Sequence, residues 1–444
     1  MKSHLRYLTV AGASALAITL AACSGATPPA DGASPATETT VAEASTTDET
    51  EAAETTEAAE RPDSKKEKGD LWTADGKAVE ITETIKVTGD EPDAVAEGRL
   101  KLNEDAEPIE KVGEREEDLV ALLGEDSALL RSMPSLKGAK EPNDCQLIIR
   151  TGGKDEVIEA PDGQGRQART CGPVSASESH IAWVETKAGE NVDWTYFVYD
   201  RETQKVTAVH EETGVPGGGS DTWGSGPRMS VIGERVYFET PAEGEGKEGV
   251  FDIASTDLAG EDLIRAAEGA NPFNYGERIG FVQWPSVIEE GSTEPGFALQ
   301  TYDAEGTALS PILQGNFGQL TQAPIVSAAP GMATAILITP EGENSKIILF
   351  NPDDNTAQVF DLGEKAQPHD VWLSDELLVF TGGSGLDKDF VFDRGENKLY
   401  TVKAAESGAG AFLNGSTVGV TIDDERPGRE DFGRVLTGTW QAAG

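Results

Sequence analysis

The sequence predicts an all-β protein, a β-propeller occupying residues 141–444, and three observations carry that reading. Short apolar runs recur at spacings of about 40 to 57 residues. All but the last are led by a proline seven to eleven residues upstream. Between successive runs lies a second landmark, an aromatic or aliphatic strand that ends in Asp or Asn before a polar turn.

The proline-led strands come in order. Pro173 precedes Ile181-Ala182-Trp183-Val184, and Pro227 precedes Val236-Tyr237-Phe238. Pro272 leads to Ile279-Gly280-Phe281-Val282, Pro324 to Ala335-Ile336-Leu337-Ile338, and Pro368 to Leu377-Leu378-Val379-Phe380. A copy without proline ends in Val418-Gly419-Val420. The interleaved hairpins are Tyr196 to Asp200, Ile253 to Asp257, Gln300 to Asp303, Ile348 to Asn351 and Phe390 to Asp393. An earlier hairpin, Cys145 to Ile149 with Val157-Ile158, lies one repeat upstream. Val, Ile, Phe and Tyr runs separated by Gly, Asp and Asn read as strands joined by turns. Two hairpins per period make a four-stranded sheet, and such repeats close around an axis. The count gives six blades, with the Cys145 hairpin completing the sheet begun by Gly408 to Thr421. Val435-Leu436-Thr437 offers one further strand, and with it the alternative of seven.

In these features the region resembles the propeller of the TolB family, in which a Pro-led strand pair recurs in each blade. The usual Ser-Pro-Asp-Gly turn of that family is replaced here by Ser177-Glu178-Ser179 or Ile232-Gly233-Glu234.

Residues 71–140 stand apart as a small α/β cap. Val79, Ile81, Ile85 and Val87 share one face of a strand. Glu116 to Arg131 fits an amphipathic helix through Leu119, Leu122, Leu123, Leu129 and Leu130, weakened by Gly124.

The chain begins as an exported one does. Lys2 and Arg6 precede an uncharged run from Leu8 to Ala22, which is short for a membrane span but suits a signal-peptide core over 1–22. It ends in Leu20-Ala21-Ala22-Cys23, which resembles the bacterial lipobox. That resemblance implies a diacylglycerol on Cys23, cleavage before it, and a stable tether to the cell membrane. Residues 23–70 then form an acidic stalk of Ala, Thr, Glu, Ser and Pro. From Ser24 to Glu60 there are nine acidic residues and no basic one. Such a segment has too little to bury to offset its ordering entropy, and is expected to stay disordered.

The whole chain carries a formal charge of −43, most of it beyond the stalk. A nucleic-acid partner is excluded by repulsion from phosphate. The two cysteines other than Cys23 are Cys145 and Cys171, which in an oxidising compartment pair as a disulfide.

No motif names a cofactor, a metal or a catalytic centre. Gly382-Gly383-Ser384-Gly385 lacks the final glycine of a nucleophile elbow because Leu386 stands there. His180, His210 and His369 are far apart, and there is no H-E-x-x-H, EF-hand or phosphate loop. Asp200, Asp257, Asp303 and Asp393 recur at turns, where Asp bonds the backbone two residues on. Asp353-Asp354-Asn355 and Asp423-Asp424-Glu425 offer oxygen ligands, but acidic turns without metal are commoner. The segment Gly217 to Gly226 marks the ligand-binding candidates, Ser220, Asp221 and Trp223, on a glycine-rich connector. The expectation is a membrane-anchored, extracytoplasmic, non-catalytic binding module for an envelope protein or wall polymer. In architecture it looks like actinobacterial envelope lipoproteins that carry propellers. The alternative is a secreted hydrolase of cell-wall or sugar substrates working through carboxylates.

Overall fold

The computed structural model describes residues 68–441, except 104–114, 125, 135–144, 159–168, 188–190, 217–226, 243–249, 285–295, 303–308, 364, 365, 367, 369, 384, 385, 387, 403–410 and 424–432. Among the described residues there is no α-helix. Three short strands come first: β1 (Leu71–Thr73), β2 (Glu80–Lys86) and β3 (Leu100–Leu102). Blade 1 follows as β4 (Arg115–Leu122), β5 (Ser127–Pro134), β6 (Gln146–Thr151) and β7 (Lys154–Ile158). Blade 2 is β8 (Arg169–Ala176), β9 (His180–Lys187), β10 (Asn191–Asp200) and β11 (Lys205–Pro216). Blade 3 is β12 (Met229–Ile232), β13 (Arg235–Pro241), β14 (Phe251–Asp257) and β15 (Ile264–Glu268). Blade 4 comprises β16 (Ala270–Tyr275), β17 (Arg278–Gln283), β18 (Phe297–Tyr302) and β19 (Leu309–Gly315). Blade 5 comprises β20 (Ile325–Ala328), β21 (Thr334–Ile338), β22 (Lys346–Asn351) and β23 (Thr356–Asp361). Blade 6 is β24 (Val371–Leu373), β25 (Leu377–Thr381), β26 (Asp389–Asp393) and β27 (Lys398–Val402). Blade 7 takes β28 (Ala411–Asn414), β29 (Thr417–Asp423) and β30 (Gly433–Trp440) from the C-terminus and β3 as its outer strand.

The innermost strands β4, β8, β12, β16, β20, β24 and β28 touch in sequence, and β28 returns to β4. The ring therefore has seven blades, not six. The missing blade is the first, whose opening hairpin the apolar spacing presents as a helix. A register shift between Leu119 and Ala121 is the cause. That bulge places Leu119 and Leu122 in one apolar cluster, so a strand shows the three-residue spacing of a helix. Residues 71–103 form a strap along the blades, and no helical α/β cap is found among the described residues. The Cys145 hairpin belongs to blade 1; β3, not that hairpin, completes blade 7. Val435-Leu436-Thr437 lies within β30, the third strand of the last blade.

The core is divided among the seams between blades. Among the described residues there are seven apolar clusters, each on one seam. A strand buried on both faces sends alternate side chains to different seams: Ile336 and Ile338 meet blade 4, while Ala335 and Leu337 meet blade 6. This explains the continuous apolar runs in place of a clean alternation. Among the described residues, the seam between blades 7 and 1 is the thinnest. Its buried members Leu119, Leu122, Ala128, Leu130 and Ile148 all come from blade 1, and among the described residues blade 7 adds the partly buried Phe412.

The strap runs outside four blades. β1 adds a fifth strand to blade 4 by pairing antiparallel with β19, and β2 adds one to blade 5 by pairing parallel with β23. Asp93 bridges Thr401 of blade 6, and β3 then closes blade 7.

Candidate binding site

Antiparallel pairing within each blade sends connections alternately to the two ends of the propeller. At one end, the first strand turns into the second and the third into the fourth, by tight turns such as 276–277, 352–355 and 394–397. Asp200 and Asp257 cap such turns as the sequence suggests. Asp200 Oδ1 accepts the N–H of Glu202 and of Thr203, and Asp257 Oδ1 those of Ala259 and Glu261. Backbone hydrogen bonds, led by that of Thr203 at Asp200 and of Glu261 at Asp257, hold both carboxyls below the usual range. Asp393 accepts the Glu396 N–H in the same way but also binds Arg99 and Trp440. Asp354 Oδ1 accepts the N–H and hydroxyl of Thr356, a turn role as well.

At this turn end, between blades 4 and 5, lies a cleft of about 820 Å³. Phe350, which is buried, contributes to its lining. Pro330, Met332, Pro352 and Ile312 add apolar wall, and Tyr275 and Arg278 come from the first turn of blade 4. The strap supplies the remaining side through 73–77. That hairpin is tied by Thr73 N–H to Lys77 O at 2.9 Å, and Gly76 takes a φ of +78° that suits glycine. Hydrogen bonds from Lys77 and Thr73 hold the Asp75 carboxyl down at about 2. Asn355 Nδ2 donates to Ala78 O at 2.9 Å and fixes the strap to the last turn of blade 5.

Two features of the cleft are unusual. Met332 has a φ of +63° and is 41% exposed, although it is neither Gly nor Asn. Its conformation is held by Met332 N–H to Ala329 O at 2.9 Å and by Thr334 Oγ1 donating to Met332 O at 3.1 Å. A Cβ built on Gly276 would lie 3.6 Å from the Met332 Cγ and Sδ, so the thioether rests over that glycine. Arg278, in turn, has no ion pair among the described residues, whereas Lys77 is engaged by Asp75. Burial pushes the Tyr275 hydroxyl above its ordinary pKa, so it stays a neutral donor. The cleft thus combines an apolar floor, a polarizable thioether and an available guanidinium.

The sequence-level candidates fall elsewhere. Ser220, Asp221 and Trp223 lie outside the described residues, as do Cys23, Asp303 and His369. Cys145 and Cys171 are joined, and the disulfide fastens the start of β6 in blade 1 to β8 in blade 2. His180 contacts the Ser179 hydroxyl, while His210 Nε2 lies 2.9 Å from Glu212 Oε1, so the two histidines serve separate sites. Among the described residues, no group of His, Cys, Asp and Glu is arranged to hold a metal ion. Met332 and Arg278 escape sequence reasoning. The one available signal is a methionine at a turn between two apolar strands, in Ala329-Pro330-Gly331-Met332-Ala333.

No family model matches the chain, and no curated protein matches it. Solved structures do. One is YCF48 bound to D1 peptide, at 11% identity and a TM-score of 0.44, with 76% of this chain and 100% of that one covered. Another is the β-propeller domain of the Trilobed protease from Pyrococcus furiosus, at 11% identity and 0.48, covering 74% and 96%. A third is apo AztD from Citrobacter koseri, at 10% identity and 0.38, covering 74% and 99%. They share the propeller fold. At these identities the likeness extends no further.

Proposed function

We propose that this chain is an extracytoplasmic lipoprotein, tethered through Cys23, whose propeller binds a protein segment in the cleft between blades 4 and 5. The observation that carries the binding reading is the exposed Met332, held at positive φ beside Pro330 and Arg278, which has no ion pair among the described residues. Strained residues persist where surrounding structure fixes them, and they cluster at ligand sites. Methionine adapts to varied apolar surfaces. An arginine at the rim selects a carboxylate through its planar fork of donors. The fitting ligand is an extended segment with an apolar side chain for the floor and an acidic group for Arg278. The lipobox-like Leu20 to Cys23 supports the tether, and the acidic stalk supports a spacer role.

The test places a photoreactive amino acid at Ile312, on the cleft wall, in intact cells. One reproducible adduct, weakened by Met332→Asp and by Arg278→Glu, is expected. Adducts unchanged by both substitutions would exclude this cleft as the binding site. Membrane attachment is read separately: Cys23→Ser should move the protein from the membrane fraction to the soluble one.

A further inference from the structure

We propose that Asn414–Gly415 is a site of spontaneous deamidation, and that its conversion unlatches the last blade from the first. Asn414 is the one asparagine of the sequence followed by glycine. It ends β28, and Gly415-Ser416 form the two-residue turn into β29, with Asn414 opposite Thr417. Gly415 has a φ of +59°, as the first central residue of such a hairpin requires. Both residues are exposed, and nothing lies within 4 Å of the position a Gly415 Cβ would take. Water therefore reaches the turn freely, and no side chain crowds the Gly415 backbone.

The reaction needs only water. The Gly415 main-chain nitrogen, on losing its proton to base, attacks Asn414 Cγ and forms a C–N bond. The Cγ–Nδ2 bond breaks, and Nδ2 leaves as ammonia, carrying a proton. The resulting five-membered imide is opened by water at either carbonyl. One opening gives aspartate, the other isoaspartate with the main chain rerouted through the side chain.

Position gives the site its consequence. Asn414 Nδ2 donates to the carbonyl oxygen of Leu122 at 2.7 Å, across the seam between blades 7 and 1. That seam has the least apolar packing contributed from both sides among the described residues. The product carboxylate has no donor to offer, and it sets negative charge against a carbonyl dipole. The Leu122 oxygen then loses its protein partner. The coupling works in both directions. While the seam is closed, the bond holds the amide away from the attack geometry. When the seam opens, the amide is released to react, and reaction prevents the same bond from re-forming. The pair acts as a one-way latch.

The experiment ages the purified full chain at mildly alkaline pH and maps its peptides by mass spectrometry, scoring aspartate and isoaspartate at each asparagine. Asn414 is expected to convert ahead of Asn355 and Asn397, which share positive φ but precede Thr and Lys. Sub-denaturing urea, which opens seams, should raise its rate several-fold. The aged fraction, separated by charge, should melt a few degrees below fresh protein. Asn414→Asp should reproduce that shift; if this variant does not fold, the aged wild-type fraction still supplies the reading. Conversion at Asn414 no faster than at Asn355 and Asn397 would overturn the proposal. So would an aged fraction that melts like fresh protein.

Discussion

Arg99 of the strap reaches Asp393 at the end of β26, with Nη2 donating to Oδ2 at 2.8 Å. The same carboxylate oxygen accepts Trp440 Nε1 at 2.9 Å from β30 in blade 7. One acid thus joins the strap, blade 6 and the C-terminal strand. Burial alone would raise the Asp393 pKa, but donors from Trp440, the Glu396 N–H and Arg99 outweigh it and hold the carboxyl below its usual range. The stabilisation from a depressed acid is present above the unfolded-state pKa and is lost as pH falls through the folded one. Asp393→Ala should cost about 2 kcal/mol at neutral pH, from lost bonds to charged groups. Its melting temperature should approach that of wild type in acid. A deficit of equal size at every pH would refute this assignment.

Asp389 has the opposite sign. It opens β26, is fully buried, and among the described residues neither of its oxygens has a well-formed hydrogen bond. Burial pushes its pKa up to about 7, and Thr381 opposite it in the ladder relieves only part of that. A raised acid favours folding while protonated, so stability should fall as pH climbs from the unfolded value near 4 to about 7. The loss amounts to about 4 kcal/mol if the carboxyl is forced to ionise. Asp389→Asn should therefore be more stable than wild type at alkaline pH. Melting curves across pH decide it, and identical slopes for the two proteins would rule it out.

The disulfide closes a loop with a sequence separation of 26 between the first two blades. Loop-entropy arguments assign such a bridge about 3 kcal/mol. The Cys145→Ser, Cys171→Ser double variant should melt lower than wild type, and reductant should lower the wild type but not the variant. If reductant affects both equally, the bridge is not the cause.

Glu239 is wholly buried and organises the starts of two inner strands. Its Oε2 accepts Arg228 N–H at 2.9 Å and its Oε1 accepts Asn271 N–H at 2.6 Å. Burial raises its pKa despite both bonds. Glu239→Ala leaves one buried and one partly buried donor without that acceptor and should cost about 3 kcal/mol. Glu239→Gln, which keeps one acceptor, should cost less. Denaturant midpoints will rank them, and equal losses would argue that packing, not hydrogen bonding, is what Glu239 provides.

The propeller was legible where strands are buried on both faces, because continuous apolar runs such as Ala335 to Ile338 repeat with the blade. Blade 1 was hidden by its bulge, which gives Leu119 and Leu122 a helical interval. The strap was obscured for another reason. β2 is exposed along most of its length, with Ile81 41% exposed, so it carries no core signature. Its strand character comes from hydrogen bonds to β23, a partner some 275 residues away. The cleft was equally silent, since a φ of +63° at Met332 is a property of the backbone that side-chain patterns do not encode.

The path of the strap also bears on how the molecule is made. A chain leaves the ribosome N-terminus first, so β1, β2 and β3 emerge before any of the strands they pair with. β3 waits for β30, the final strand of all. Contacts so distant in sequence form late and slowly. Blade 7 is thus left incomplete until β30 has been made, and the ring stays open for as long as that strand is missing.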